Sequence, residues 1–257
     1  MLTVEKAICG YKKEVVLSRL SVSVDQGEIL SIIGANGIGK TTLFKSILGH
    51  IRLISGQILA DGRDLSRLNS VERAKCIAYV PQAHVPPFPF RVIDVAVMGR
   101  TAHLKLFSKP SEADIRIAAE ALKITNIEGL YDKTYTRISG GERQLVLIAR
   151  AIAQEAKILI MDEPMANLDF GNQLRIMEQI RQLASLGLSV IYTTHNPEHA
   201  FHCSDKVLAI KGKTDFVQGS AEEVITDTLL QEIYQIKAEV KEVLLEKRSI
   251  RVCVPAG

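Results

Sequence analysis

The segment that most constrains this chain is Gly34-Ala35-Asn36-Gly37-Ile38-Gly39-Lys40-Thr41-Thr42, which has the pattern GxxxxGK[ST]. An apolar run over residues 28–33 precedes it, and residues 39–48 carry apolar side chains at helical spacing. A strand, a glycine-rich loop and a helix in this order predict a phosphate-binding loop. The loop amides and the positive end of the helix would then face the same anion.

The residue types in this loop indicate how a nucleotide would be held. Glycines allow the backbone to turn its N–H groups towards phosphate oxygens. Lys40 would place a positive charge between the β- and γ-phosphates, and the Thr41 hydroxyl would coordinate Mg²⁺. The predicted phosphate-binding residues are Gly34, Asn36, Gly37, Gly39, Lys40, Thr41 and Thr42. By itself the motif predicts nucleotide binding and nothing more.

Composition limits the classes of protein to which the chain can belong. Its 257 residues suffice for one α/β domain or for a core with an inserted subdomain. The chain has no Trp and only 5% aromatic residues, so we expect no stacking platform for single-stranded nucleic acid and no nucleic-acid partner. The longest apolar runs fall far short of the roughly 20 residues that span a bilayer, so a role at a membrane would require another, membrane-spanning chain. The four cysteines form no CxxC pair and are expected to be reduced and mostly buried.

A second group of chemistry-bearing residues follows an apolar strand later in the chain. Asp162, Glu163 and Pro164 come directly after residues 158–161, which are all apolar. Ligands of parallel α/β sheets bind at the carboxyl ends of strands. Asp162 is therefore the expected Mg²⁺ partner of Thr41, and Glu163 is the candidate general base for an attacking water. Without a phosphate-binding loop in the same chain, these residues would be interpreted as a solvated turn.

The remaining pattern predicts an α/β fold with a mostly parallel sheet, because strands alternate with helices on both sides of a helical segment. The first 33 residues predict short strands, which we assign to an antiparallel β subdomain. Prolines 81, 86, 87 and 89 mark a boundary. Residues 221–234 predict one helix with strand-like alternation after it. We expect a single domain over 1–257, with a helical subdomain inserted at 83–155 and a C-terminal extension at 215–257.

Ser139-Gly140-Gly141 opens a helix inside that inserted segment. Ser139 is a good N-cap, and the glycine pair exposes backbone N–H groups, so this helix start is a second candidate anion site. An ordinary capped helix would explain Ser139 but not two glycines at positions where glycine weakens a helix.

With these residues, the sequence resembles the ABC ATPase family. Residues 138–142, Ile-Ser-Gly-Gly-Glu, look like its LSGGQ signature and lie between the phosphate-binding loop and the Asp-Glu pair, as the family requires. Other family elements follow in the family's order: Tyr11 matches the A-loop aromatic that stacks on adenine, Gln82 the Q-loop, Asp169 the D-loop and His195 the switch histidine.

The resemblance implies a P-loop NTPase core of the RecA-like type that hydrolyses ATP with Mg²⁺. It implies a homodimer in which two copies stack head to tail with two ATP molecules between them. Ser139, Gly140 and Gly141 of one copy would then face the γ-phosphate held by Lys40 of the other.

The same resemblance gives roles to further residues. His195 would contact the γ-phosphate and hold the attacking water with Glu163. Gln82 would approach Mg²⁺ and that water, and would sense a membrane permease. The implied partners are a polytopic permease, in two copies, and indirectly a substrate-binding protein. The implied location is the cytoplasmic face of the cell membrane.

A few residues depart from the family pattern. Glu142 replaces the usual Gln, which is electrostatically acceptable near a helix N-terminus. Ile138 replaces Leu, Met165 stands where a small hydroxyl residue is common, and Asn167 replaces a frequent Ala. None removes a catalytic group, but Asn167 leaves the contact across the dimer less defined.

The cargo stays open at the level of sequence. We expect no fused membrane domain, which favours an importer assembled from separate subunits. Residues 92–100 and 145–154 resemble the ATPases of iron-siderophore, haem and cobalamin importers, with the molybdate importer ATPase close by. We expect a metal chelate first and a molybdate-type oxyanion second. A soluble ABC ATPase of DNA repair or translation, and a P-loop kinase or GTPase, fit the sequence less well.

Overall fold

The computed structural model describes residues 1–11, 14–82, 88–105, 107–245 and 248–256. Part of the proline-rich boundary at 82–91, residues 83–87, therefore lies outside the described residues. The strands are β1 (Leu2–Tyr11), β2 (Glu14–Val24), β3 (Ile29–Gly34), β4 (Ser55–Ala60), β5 (Arg63–Asp64), β6 (Ile77–Val80), β7 (Ile158–Met161), β8 (Ser189–Thr193), β9 (Lys206–Ile210), β10 (Phe216–Gly219), β11 (Ala238–Leu245) and β12 (Arg248–Pro255).

The α-helices alternate with these strands, as the sequence predicted. They are α1 (Lys40–Ile47), α2 (Ser70–Cys76), α3 (Val92–Val97), α4 (Glu112–Ile124), α5 (Gly140–Ala153), α6 (Phe170–Ser185), α7 (Pro197–Cys203), α8 (Ala221–Val224) and α9 (Asp227–Tyr234). Short 3₁₀ helices occur at Leu65–Arg67, Met98–His103, Glu128–Leu130 and Tyr135–Arg137. Among the described residues, none of these helices is long and apolar enough to cross a bilayer.

The chain divides into two compact units, and the first comprises Met1–Arg67 and Ile180–Gly257. In this unit β8 and β9 lie parallel to β3 on either side of it, and β10 pairs antiparallel with β9. A separate antiparallel sheet has the order β2-β1-β4-β5, and β11 pairs with β12 as a hairpin. Side chains of β3 and β9 pack with those of α7, α8 and α9 in a buried apolar cluster. This packing supports β3, and β8 pairs directly with β3, so the phosphate-binding loop and the segment around His195 begin at neighbouring strand ends.

The second unit comprises Leu68–Gln179. Here β6 and β7 form a parallel pair, and α3, α4 and α5 pack against one another. The α/β class, the largely parallel strand pairing, the antiparallel β subdomain and the helical region are confirmed. The proposed boundaries 83–155 and 215–257 stay predictions.

A buried ion pair joins the helical elements of the second unit. Arg100 Nε donates to Asp114 Oδ1 at 3.0 Å, and Arg100 Nη1 donates to the Ala153 carbonyl at 2.7 Å. Hydrogen bonds from Ser111, followed by those from Arg100, lower the pKa of Asp114 to about 2. The Arg100 guanidinium is buried, and a buried charge is stable only when it is paired and hydrogen-bonded. Arg100 therefore connects α4 with the C-terminal end of α5.

Two expectations about local structure are wrong. The first strands are long rather than short, because β1 continues through a bulge where Lys6 adopts φ 45° and the pairing register with β2 shifts. The bulge interrupts the alternation of apolar residues that marks a continuous strand. The predicted helix over 221–234 is two helices, because Ile225 leaves helical geometry and the Thr226 side chain caps a new helix by accepting from Leu229 N–H at 3.2 Å.

Three of the four cysteines, Cys9, Cys76 and Cys203, are buried, and Cys253 is partly buried. All four are free thiols, as expected from their spacing.

Candidate functional site

The phosphate-binding loop joins β3 to α1. At two of its positions the backbone adopts a conformation that is readily accessible only to glycine. Gly34 and Gly39 have φ values of 157° and 121°. A Cβ added to Gly34 would lie 2.8 Å from the Ile210 carbonyl oxygen, and one added to Gly39 would lie 2.9 Å from Leu17 Cδ2. The loop therefore lies directly against β9 and β2, which hold its shape.

Lys40 begins α1 and is only 7% exposed. Its Nζ donates to the carbonyl oxygens of Gly34 at 2.6 Å and Ala35 at 3.1 Å, so the ammonium lies along the loop rather than extending into solvent. Gly39, the N-cap of α1, has no side chain to accept from the first helical N–H groups. A helix start that is left open in this way is suited to an anion. Asn36, Gly37 and Thr41 are exposed at this end of the loop, and Thr42 is buried.

The predicted adenine-stacking residue, Tyr11, lies at the end of β1 and is 46% exposed. Together with Gly10, Glu14 and residues 50–54 it lines a surface cleft in the first unit. An exposed aromatic ring at a cleft has a face available for stacking.

Asp162 and Glu163 follow β7 directly and are both half-buried. Asp162 N–H donates to the Val80 carbonyl at 2.9 Å, and the Tyr79 hydroxyl donates to Asp162 Oδ2 at 3.5 Å. Burial, followed by the charge of Asp162, raises the pKa of Tyr79 to about 12, so this phenol remains a donor. Gln82 follows β6 and is exposed. The strand pairing thus brings the ends of β6 and β7, with Gln82 and the two carboxylates, to the same edge.

Glu163 has a backbone conformation that is unusual for its residue type. Its φ is 45°, in the left-handed region that L-residues with a Cβ rarely occupy. Such conformations cost about 1–3 kcal/mol and persist where the surrounding structure imposes them, often at functional sites. The strain is consistent with a side chain whose direction matters.

The signature segment caps α5 through its own side chains. Ser139 Oγ accepts from Glu142 N–H at 3.2 Å, while Glu142 Oε2 accepts from Ser139 N–H at 2.7 Å. The hydrogen bond from the Ser139 backbone is the largest cause of a lowered pKa at Glu142, so this carboxylate is ionised at neutral pH. Glu142, which departs from the family pattern, therefore completes the cap, and Ser139 remains exposed.

Gly141 packs against the first turn of α6, a contact that the sequence did not indicate. Asn172 Nδ2 donates to Asp169 Oδ2 at 2.6 Å, and Asn172 N–H donates to Asp169 Oδ1 at 2.9 Å. These bonds lower the pKa of Asp169. A Cβ at residue 141 would lie 2.4 Å from Asn172 Cγ. The second signature glycine thus leaves room for the side chain that holds Asp169.

Gly141→Ala is expected to displace Asn172, whereas Gly140→Ala is a matched control. A Cβ at residue 140 would have Leu168 Cδ2 as its nearest neighbour, at an ordinary 3.7 Å. Overpacking costs typically about 1–3 kcal/mol, so the Gly141→Ala variant should lose about that much free energy of unfolding relative to the Gly140→Ala variant. Urea unfolding of both variants measures the difference. Equal stabilities would show that Asn172 moves aside without cost.

His195 lies between β8 and α7 and is exposed. A neighbour of this residue that the sequence did not indicate is His199, which is 5% exposed and hydrogen-bonded to Thr194. Burial, assisted by the charges of His195 and His202, lowers the pKa of His199 to about 4, so its ring is neutral at neutral pH. The sequence signal that could have indicated this arrangement is a second histidine, His199, four residues after His195.

The predicted site residues divide between the two units. Tyr11, the phosphate-binding loop and His195 belong to the first unit, at the ends of β1, β3 and β8. Gln82, the signature residues 139–141, Asp162, Glu163 and Asp169 belong to the second. Within each unit these residues lie at strand ends or helix starts, where the chain can present them to a ligand.

Comparisons with known proteins identify the family to which the chain belongs. The family model described as ABC transporter matches residues 17–166. A "Probable iron chelatin transport ATP-binding protein" of Helicobacter pylori is 36% identical over 93% of this chain and 94% of its own length. The molybdate import ATP-binding protein MolC of Haemophilus influenzae is 35% identical over 91% of this chain and 88% of its own.

A solved structure gives the same result for the fold. An ABC transporter assigned to the metal-chelate type, in an inward-facing conformation, has a chain that superposes with a TM-score of 0.89. The identity is 32%, and the match covers 100% of this chain and 97% of that one. With the family model and relatives of this similarity in agreement, the chain belongs to the ABC transporter family, as an ATP-binding, ATP-hydrolysing subunit.

Proposed function

We propose that this chain hydrolyses ATP to power the import of a metal chelate, of the iron-siderophore, haem or cobalamin type, through a separate membrane permease. The single observation that carries the proposal is the similarity over nearly the whole chain to the iron chelatin relative and to the metal-chelate type transporter. The ATPase subunit contacts nucleotide and permease, so the chelate is recognised elsewhere in the complex.

In the proposed ATP site, the loop amides and Lys40 hold the β- and γ-phosphates, and Tyr11 stacks on adenine. Support comes from the open N-terminus of α1 and from Lys40, which is already fixed along the loop. Glu163 accepts a proton from the attacking water, and His195 contacts the γ-phosphate. Hydrolysis of this kind relies on positioning and electrostatics, so few side chains are needed.

The donor set of Thr41, Gln82 and Asp162 fits Mg²⁺. A hydroxyl, an amide oxygen and a carboxylate are hard oxygen ligands, and Mg²⁺ is commonly bound by one or two carboxylates together with substrate phosphates. The described residues contain no cluster of three or more His, Cys, Asp or Glu side chains that could hold an ion without a nucleotide. When bound, Mg²⁺ would neutralise charge on the β- and γ-phosphates.

A second copy of the chain completes each site. Ser139 is exposed at the start of α5 and its hydroxyl already accepts from Glu142, so the segment presents a preformed cap to a neighbour. We place Ser139, Gly140 and Gly141 of one copy against the γ-phosphate held by the other, with Asp169 at the same contact. The working unit is then a homodimer bound to the cytoplasmic side of its permease, supplied by a substrate-binding protein.

The similarity to MolC favours a second candidate cargo, a molybdate-type oxyanion. Reconstitution of the chain with its permease and binding protein in liposomes separates the two. Ferric siderophore, haem or cobalamin should stimulate ATP hydrolysis and accumulate in the vesicles, whereas molybdate should do neither. Stimulation by molybdate alone would contradict the chelate proposal and favour the oxyanion.

A further inference from the structure

His199 lies on α7, four residues after the exposed His195. Its ring is buried, and it has no part in the ATP site proposed above. The side chain is 5% exposed, and the Tyr192 hydroxyl donates to the His199 carbonyl at 3.1 Å. The helix that carries it packs against β3, α8 and β12. His199 is thus held in place by its own backbone, and its two ring nitrogens face the segment between β8 and α7.

The direction of hydrogen bonding around the ring is determined by Asn196. Asn196 Oδ1 accepts from Glu198 N–H at 3.0 Å and caps α7, which leaves Nδ2 facing His199 Nε2 at 3.4 Å. An amide nitrogen can only donate, so Nε2 accepts and the single ring proton of the neutral imidazole is on Nδ1. That Nδ1–H donates to Thr194 Oγ1 at 2.9 Å.

Thr194 completes a closed set of hydrogen bonds. Its Oγ1 accepts from His199 and from Asn196 N–H at 3.1 Å, and the hydroxyl proton is donated to the Asn196 carbonyl at 3.3 Å. The hydroxyl therefore uses its donor and both lone pairs. Thr194 and Asn196 are the two residues on either side of His195, so one imidazole ring fixes the chain immediately before and after it.

We propose that His199 is a positioning residue for ATP hydrolysis, which holds His195 in its working geometry through Thr194 and Asn196. The inference rests on the role proposed above for His195. Without the ring, Thr194 N–H still donates to the Ile32 carbonyl at 3.2 Å and Asn196 still caps α7, so the segment remains folded. It loses the two hydrogen bonds by which the imidazole ties Thr194 and Asn196 to α7. Displacement of a reacting group by about 1 Å can cost on the order of 100-fold in rate.

The experiment measures kcat and KM for ATP in the purified chain with His199→Leu and His199→Asn. The leucine variant has no polar group and should lower kcat about 10- to 100-fold with little change in KM. The asparagine amide can donate to Thr194 in place of Nδ1–H and should restore most of the rate. His202→Leu, on the same helix but outside this set of hydrogen bonds, should behave as the unmodified chain. Unchanged kcat in the leucine variant would overturn the inference.

A double-mutant cycle with His195→Ala distinguishes a positioning role from a general loss of structure. If His199 acts through His195, His199→Leu should lower kcat in the native background and have no further effect in the His195→Ala background. Equal losses in both backgrounds would overturn the inference while leaving His195 in its role. If His195→Ala alone left kcat unchanged, the role proposed for His195 would be wrong, and the inference that depends on it with it.

Discussion

Glu163→Gln is expected to lower the steady-state rate of ATP hydrolysis by about 10²- to 10⁴-fold, the usual contribution of a general base. Glutamine keeps the size of the side chain but cannot accept the proton of the attacking water. The backbone of Glu163 is held at φ 45° by its surroundings, so the amide should occupy the same place as the carboxylate. ATP affinity, measured by equilibrium binding, should be preserved, because the phosphates are held by residues of the phosphate-binding loop.

A matched control removes the same charge elsewhere. Glu178 is exposed on α6, and Glu178→Gln should leave the rate of hydrolysis unchanged. Hydrolysis by the Glu163→Gln variant at close to the native rate would exclude Glu163 as the base.

Lys40→Met is expected to weaken ATP binding by about 100-fold, since a charge-assisted hydrogen bond to phosphate contributes roughly 1.5–3 kcal/mol and the loop also loses its internal bonds. Lys40 Nζ is the donor to the Gly34 and Ala35 carbonyls, and methionine leaves both without that partner. Calorimetric titration with ATP measures the loss. The control is Lys45→Met, an exposed lysine in the last turn of the same helix, which should bind ATP normally. Equal affinities of the two variants would contradict the assignment of Lys40.

The fold was predictable where the signal is local. The strand before Gly34 and the helix after Lys40 are marked by apolar spacing and glycines within a few residues of one another. The same holds for β7 before Asp162, where four apolar residues end at two carboxylates. These patterns depend on neighbouring residues alone, so a single sequence suffices to recognise them. The roles of the individual site residues stay proposals.

Contacts between distant segments were not predictable in this way. The bulge at Lys6 depends on pairing with β2, and the packing of Gly141 against Asn172 joins residues that lie on different helices. Sequence spacing does not distinguish His199 from other residues of a short helix, because its proposed positioning role depends on hydrogen bonds with Thr194 and Asn196. Each feature requires tertiary structure, which sequence spacing does not report.

The most direct test of the shared ATP site mixes two inactive chains, one with Lys40→Met and one with Ser139→Arg. Ser139 is exposed, so arginine has room within one chain, where it costs only the Ser139 cap of α5, about 1 kcal/mol, but it would obstruct a partner. If each site combines Lys40 of one copy with Ser139 of the other, a mixed dimer contains one site in which both residues are native. The mixture should then hydrolyse ATP well above the sum of the two variants measured separately. A rate no greater than that sum, with mixed dimers shown to form, would contradict a site built from two copies.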